Sequence, residues 1–298
     1  MSAPLLMVCA ALLFSVMGVC VKFASSLYGA GELVFYRSLV GALVVFGVTR
    51  WRGESLTTPV PAMHFWRSAS GVAGLMLWFY AIGGLPLATA MTLNYMSSVW
   101  MALFLIGGSV LVGAGRVDGR LVAAVLTGFA GVALVLRPTV DQQQLWHGLT
   151  GLLSGMLAAL AYLQVTALGR VGEPEARVVF YFSLGGMAAG LLTALPAGGF
   201  RGHDDAFAAA MLLAVGGFAT AAQWLMTRAY AIGRPLVNAS LQYLGIAYAF
   251  GFGVLLFDDP VTPMALGGAV LVVVAGLAAV WLRGTALPKE ARASTLES

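Results

Sequence analysis

The chain has 298 residues, of which 60% are hydrophobic and 9% charged, with a net charge of +4. A water-soluble domain carries about a quarter charged residues, and no globule hides so much apolar surface beneath so thin a polar coat. An ordinary soluble enzyme or binding domain is excluded, and lipid is the solvent for most of the chain.

A membrane-crossing helix needs about 20 mostly apolar residues. The first candidate, residues 3–24, lacks the basic start and short apolar core of a cleaved leader, and comparable segments follow, so it is expected to be a retained span. Cys9 and Cys20 on it would lie about 16 Å apart along a helix, too far for a disulfide. Nine more candidates follow at 31–49, 64–83, 86–111, 120–137, 147–168, 175–195, 206–230, 235–257 and 263–283. Pro86 and Pro235 stand where helices start, and Pro138 and Pro196 close others. The unbroken Leu/Ala/Val/Gly runs do not alternate as barrel strands would.

Lys and Arg near span ends set orientation. With the N-terminus cytoplasmic, twelve fall inside: Arg50, Arg52, Arg67, Arg116, Arg120, Arg170, Arg177, Arg228, Arg234, Arg283, Lys289 and Arg292. Only Arg137 and Arg201 fall outside, while Lys22 and Arg37 lie within spans. Both termini are therefore expected in the cytoplasm. The excess of positive charge reflects this orientation, and nucleic acid is not an expected partner.

The sequence also repeats itself. LVFYRSLVGA (Leu33 to Ala42) matches VVFYFSLGGM (Val178 to Met187), with Arg37 answered by Phe182. YAIGGLPLATAMTLNY, from Tyr80, matches YAIGRPLVNASLQY, from Tyr230, and AGVALVLR matches AGLAAVWLR. Five spans per half is an odd number, so the second copy enters the bilayer from the opposite side. Such halves can exchange conformations and expose a site between them to either face in turn. The expected architecture is all-α and membrane-integral: ten helices as two inverted five-helix repeats, 1–140 and 141–284, with a short cytoplasmic tail, 285–298.

The FYR element at Phe35 to Arg37, the Pro-led fourth and ninth spans and the two five-span halves together resemble the drug/metabolite transporter superfamily in its EamA-type branch. The likeness covers nearly the whole chain and, by general similarity, is nearest to bacterial exporters of aromatic amino acids. It implies a multi-pass protein of the bacterial cytoplasmic (inner) membrane that carries amino acids, metabolites or drugs, mostly outward. Small multidrug exporters of the superfamily use a membrane-embedded Glu. Here Glu32, Asp141, Asp204, Asp205, Asp258 and Asp259 all fall in outer loops or helix ends. Downhill export or exchange is thus expected in place of proton coupling.

Polar groups inside spans mark either helix packing or a solute path. Asn94 and Gln242 are equivalent by the repeat, and each precedes an aromatic residue, Tyr95 and Tyr243. They either present amides to one solute from both sides or bond to each other and to backbone. Asn238 shares a face with Gln242, and Gln164 and Gln223 extend a polar strip. Trp78, Tyr80, Trp100, Tyr162 and Trp224 lie deep enough to stack on a flat apolar solute or to pack between helices. Tyr28, Trp51, Trp66, Trp146 and Trp281 fit an interfacial belt. Arg37 receives a solute carboxylate, locks an outer gate or snorkels to the headgroups, and Lys22 lies near the same end.

A membrane enzyme would need converging His, Asp, Glu or Cys residues. His64, His147 and His203 are assigned to separate loops, and no metal spacing or phosphate loop is legible, so no catalytic residue, metal or cofactor is expected. No ATP-binding segment is present and no ATPase subunit is implied. The expected partners are the bilayer and a small-molecule substrate, a neutral and aromatic or apolar amino acid or a related metabolite. A drug exporter, a channel or a scaffold are the alternatives.

Overall fold

The computed structural model describes residues 2–111, 119–136, 142–202, 205–233, 238 and 241–286. Among these, every regular element is helical: α1 (Ala3–Ala24), α2 (Ala30–Arg52), α3 (Pro61–Gly84), α4 (Leu87–Tyr95), α5 (Ser97–Leu111), α6 (Gly119–Leu136), α7 (Gln142–Arg170), α8 (Glu175–Ala194), α9 (Ala206–Ile232), α10 (Leu244–Phe257) and α11 (Pro263–Ala286). The chain beyond Ala286, most of the first turns of the ninth expected span, and Arg116, Arg137, Asp141, His203, Asp204 and Arg234 lie outside the described residues.

Among the described residues, five helices are long and apolar enough to cross a membrane: α1, α2, Gln144–Arg170 of α7, α8 and α9. α3 has 24 residues, about 36 Å at 1.5 Å per residue. Their outward faces are apolar: Leu12, Leu43, Leu192 and Leu213 are among the exposed large hydrophobics. Trp51, Trp66, Trp146 and Trp281 near helix ends are 62% to 84% exposed, as an interfacial belt requires. Tyr28 departs from that expectation. It is 3% exposed and belongs to the core beneath the α1–α2 loop.

Helices distant in sequence pack closest. α1 lies along α9, α3 along α7, α2 along α8, and α6 along α11, while α4 touches both α7 and α10. The two copies of the repeated phrase meet face to face in the α2–α8 pair. A side chain added at Gly186 would strike the Ser38 hydroxyl, and one at Gly41 would strike Ser183 Oγ at 2.8 Å. Closer still, a Cβ at Gly190 would lie 2.7 Å from Phe35 N and 2.8 Å from Gly31 O. Small residues therefore let the backbones approach, and dispersion between close surfaces replaces the hydrophobic driving force that lipid cannot supply.

The sequence leads one to expect a single helix over 86–111, but it is broken at Met96, whose N–H reaches back only to Leu93 O, at 3.3 Å. Gly245 N–H, in the first turn of α10, donates in the same tight way to Gln242 O at 2.9 Å. Periodicity gave no warning, because both sides of each break are apolar. Irregular backbone at this depth is tolerated only where it is buried in protein or lines a cavity.

Candidate functional site

A cavity of about 60 Å³ lies where α1, α2, α3, α4, α7, α8 and α9 converge. Trp78, Asn94, Tyr95, Tyr162 and Gln223, all expected from the sequence, line it, as does Arg37. Two water molecules would fill it. A space of this size must widen to take a metabolite.

Asn94 sits in the last turn of α4, 5% exposed, and its Nδ2 donates to Ser154 Oγ at 3.0 Å. Ser154 Oγ in turn donates to Gly151 O at 2.6 Å, so α7 holds the amide in place. The Gln223 Nε2, the Trp78 Nε1 and the Tyr95 hydroxyl are buried without a hydrogen-bond partner. Unpaired buried donors are costly; the Gln223 amide and the Trp78 indole belong to residues that line the cavity, whereas the Tyr95 hydroxyl lies against Gly245.

Two arginines dominate the electrostatics. Arg37 lies about 10 Å along α2 and Arg67 about 9 Å along α3, and these helices start at opposite ends of the bundle. Arg37 is 4% exposed and Arg67 2%. Their guanidinium carbons sit 4.8 Å and 4.2 Å from the centre of one ring, that of Phe182. Snorkelling is therefore not what Arg37 does. The assignment of Arg67 to the cytoplasmic surface also fails, because α3 begins at Pro61, a turn before the expected start, and carries Arg67 inward. A side chain at Gly71, one turn further on, would collide with the Arg67 guanidinium, so that glycine is the hole the arginine fills. The signal available in the sequence was position 182, which answers to Arg37 in the repeat.

Other expected site residues lie elsewhere. Tyr80 is 44% exposed and stacks on His147, with centroids 4.4 Å apart; His147 itself belongs to α7 and not to a loop. Trp100 packs edge-on against Phe129 of α6 at 5.2 Å. Gln164 Oε1 accepts from Ser70 Oγ at 2.7 Å and ties α7 to α3. Trp224 lines a separate cleft of about 640 Å³ beside Arg52, Arg177 and Arg228. Asn238 Nδ2 donates to Ala229 O at 2.6 Å, bracing the end of α9. Gln242 Nε2 donates to the Tyr230 hydroxyl at 3.1 Å, and Tyr230 stacks on Tyr162 at 5.7 Å. Gln242 thus stands one ring behind the cavity wall and does not face Asn94 across a shared space. Tyr243 is buried in the core, away from the cavity.

Polar ties join helix ends on either side of the cavity. Where α1 stops, Lys22 Nζ meets Asp259 Oδ1 at 2.7 Å and Oδ2 at 3.0 Å and donates to Leu85 O at 3.3 Å. Asp259 Oδ2 also accepts the Leu87 N–H at 2.8 Å, at the start of α4. Lys22 is therefore a clasp and not a snorkelling residue. Nearby, Glu32 Oε1 accepts the Arg201 N–H, and Arg201 Nη1 donates to Leu27 O, each at 2.6 Å. At the opposite end His64 Nε2 donates to Glu173 Oε1 at 3.0 Å, and Arg177 Nε donates to Ser55 O at 2.9 Å. His64 is thus buried in α3, not in a loop. Desolvation raises the Glu173 pKa, but hydrogen bonds from Thr58 and His64 and the charge of Arg177 outweigh it, so the carboxyl is held below its ordinary 4.5.

Residues 1–137 match the model of the EamA-like transporter family. The chain is 31% identical to the pseudopaline exporter CntI of Pseudomonas aeruginosa over 93% of its own length and 95% of the relative's. It is 25% identical to a riboflavin transporter of Vibrio cholerae, over 94% of each. One crystal structure superposes with a TM-score of 0.68, covering 96% of this chain and 99% of that one at 19% identity, which speaks to the fold alone. Neither relative is named for an aromatic amino acid, so that finer expectation gains no support. The extent of these matches leads to one conclusion: the chain belongs to the EamA-like transporters of the drug/metabolite transporter superfamily.

Proposed function

We propose that the protein is an alternating-access carrier of the bacterial inner membrane that exports a small metabolite, bound in the central cavity between two inverted five-helix halves. The observation that carries this reading is a small central cavity that gathers Arg37, Arg67, Asn94 and Gln223 inside an apolar bundle, with a separate set of ties at each end. A carrier must break one set while keeping the other, whereas an open channel needs neither.

The helix pairings support the inverted repeat. Exchanging α1, α2, α3 and α6 with α7, α8, α9 and α11 in order turns the α1–α9 contact into α7–α3, and leaves α2–α8 and α6–α11 as themselves. The reciprocal Ser38–Gly186 and Ser183–Gly41 contacts support the same two-fold. Ten crossings with both termini cytoplasmic then put the Lys22 ties outside and the Glu173 ties inside.

Among solutes, the 31% identity favours a pseudopaline-like metabolite. A second reading, an aromatic or apolar amino acid, is favoured by the Trp78, Tyr95 and Tyr162 rings around the cavity. Counterflow in proteoliposomes preloaded with pseudopaline, tryptophan, phenylalanine, threonine or a cationic dye decides between them. The carrier reading expects saturable uptake accelerated by unlabelled solute on the far side, and weaker uptake in Asn94→Ala. Flux that rises linearly with solute and shows no acceleration would make the protein a channel.

A further inference from the structure

Arg37 and Arg67 have no carboxylate partner. Among the described residues no Asp or Glu lies within ion-pair distance of either. Arg37 Nε and Arg67 Nε and Nη1 are buried without a hydrogen bond. Arginine keeps its charge at neutral pH, so the bundle holds two positive charges no farther apart than the sum of their distances to the Phe182 ring. Cation–π contact with that ring returns about 0.5–2 kcal/mol per arginine, less than the several kcal/mol that desolvating each charge costs. A helix bundle maintained for packing alone would gain by losing both. The missing partner is an anion, and the planar guanidinium fork fits carboxylate oxygens two at a time.

We propose that Arg37 and Arg67 form a two-pronged anion site and that the transported solute presents two carboxylates, one to each guanidinium. This rests on the carrier reading and names the class of its substrate. Both prongs rest on the Phe182 ring, while Asn94 and Gln223 offer amides to the stretch of solute between its carboxylates. The Gly71 hole sets the reach of Arg67, and therefore the carboxylate spacing that fits.

The test uses the purified full chain in detergent, titrated with dicarboxylates from succinate to pimelate, with butyrate, inorganic phosphate, chloride and phenylalanine as comparators. One dicarboxylate length should bind at least about tenfold tighter than butyrate and raise the melting temperature. Arg37→Gln and Arg67→Gln should each erase that preference, while Arg67→Lys keeps part of it. Unliganded, both Gln variants should melt no lower than wild type, because each removes an unpaired buried charge. The proposal is overturned if no dicarboxylate outbinds butyrate, if the preference survives Arg67→Gln, or if only phosphate or chloride binds. It also fails if the unliganded Gln variants melt well below wild type, since the arginines would then be structural. Counterflow separates the two claims. Dicarboxylate binding that follows the arginines without any counterflow sinks the carrier and leaves the site standing. Counterflow of a neutral solute that is indifferent to Arg67→Gln sinks the site and leaves the carrier.

Discussion

Replacing Asp259 by Ala should open the outer end of the bundle. The carboxylate contacts three segments at once: Lys22 on α1, the Leu87 N–H at the start of α4, and its own α10–α11 loop. The Lys22 and Asp259 side chains are 17% and 13% exposed, so solvent screens the pair only partly. Charge-assisted hydrogen bonds in such a setting contribute about 1.5–3 kcal/mol, and an acceptor at a helix start about 1 kcal/mol. Lys22 keeps Leu85 O and the Phe257 ring, 4.7 Å away, which limits the loss. A net shift of about 2–4 kcal/mol lowers the closed-to-open ratio at this end by about thirtyfold to a thousandfold. Thr89, 6% exposed, shares the crevice beside Asp259 and can report the change. In a background with Cys9 and Cys20 replaced, Thr89→Cys should react with an impermeant maleimide added outside at least about ten times faster once Asp259→Ala is introduced. Asp259→Asn should fall between, since it keeps an acceptor for Leu87 and loses the charge. A labelling rate within about twofold of the parent would refute the assignment of this contact as a gate.

Three further outcomes follow from the same geometry. Glu173 contributes stability that is fully present above its ordinary 4.5 and is lost as pH falls through its lower folded value, so the melting temperature should drop in acid below about pH 4.5, and Glu173→Gln should flatten that slope. Gly190→Ala drives a methyl into α2 backbone at 2.7–2.8 Å and should destabilise by about 1–3 kcal/mol in thermal unfolding, whereas Gly217→Ala, with nothing within 4 Å, should cost nothing. Reporter tags fused to each end should both read as cytoplasmic, and a split result would rule out ten crossings.

Much of this protein was legible in one dimension. Transfer free energy depends on the length and composition of a run, so most described helices overlap the expected spans, while the pairing of the two repeated phrases across α2 and α8 came only from the fold. Facing is different, because each residue turns a helix by about 100°. Trp78 lines the cavity while Tyr80, two positions on, points away to stack on His147; Gln223 faces in while Trp224 beside it faces the 640 Å³ cleft. An uncertainty of one turn at the start of α3 sufficed to misplace Arg67, and no local pattern marks the breaks that turn Asn94 inward and leave Gln242 behind Tyr230. Hydrophobicity selects the lipid-facing side by exclusion of polar groups, but which polar groups converge is decided by how distant helices rotate to bury one another's small residues, a property no single segment contains.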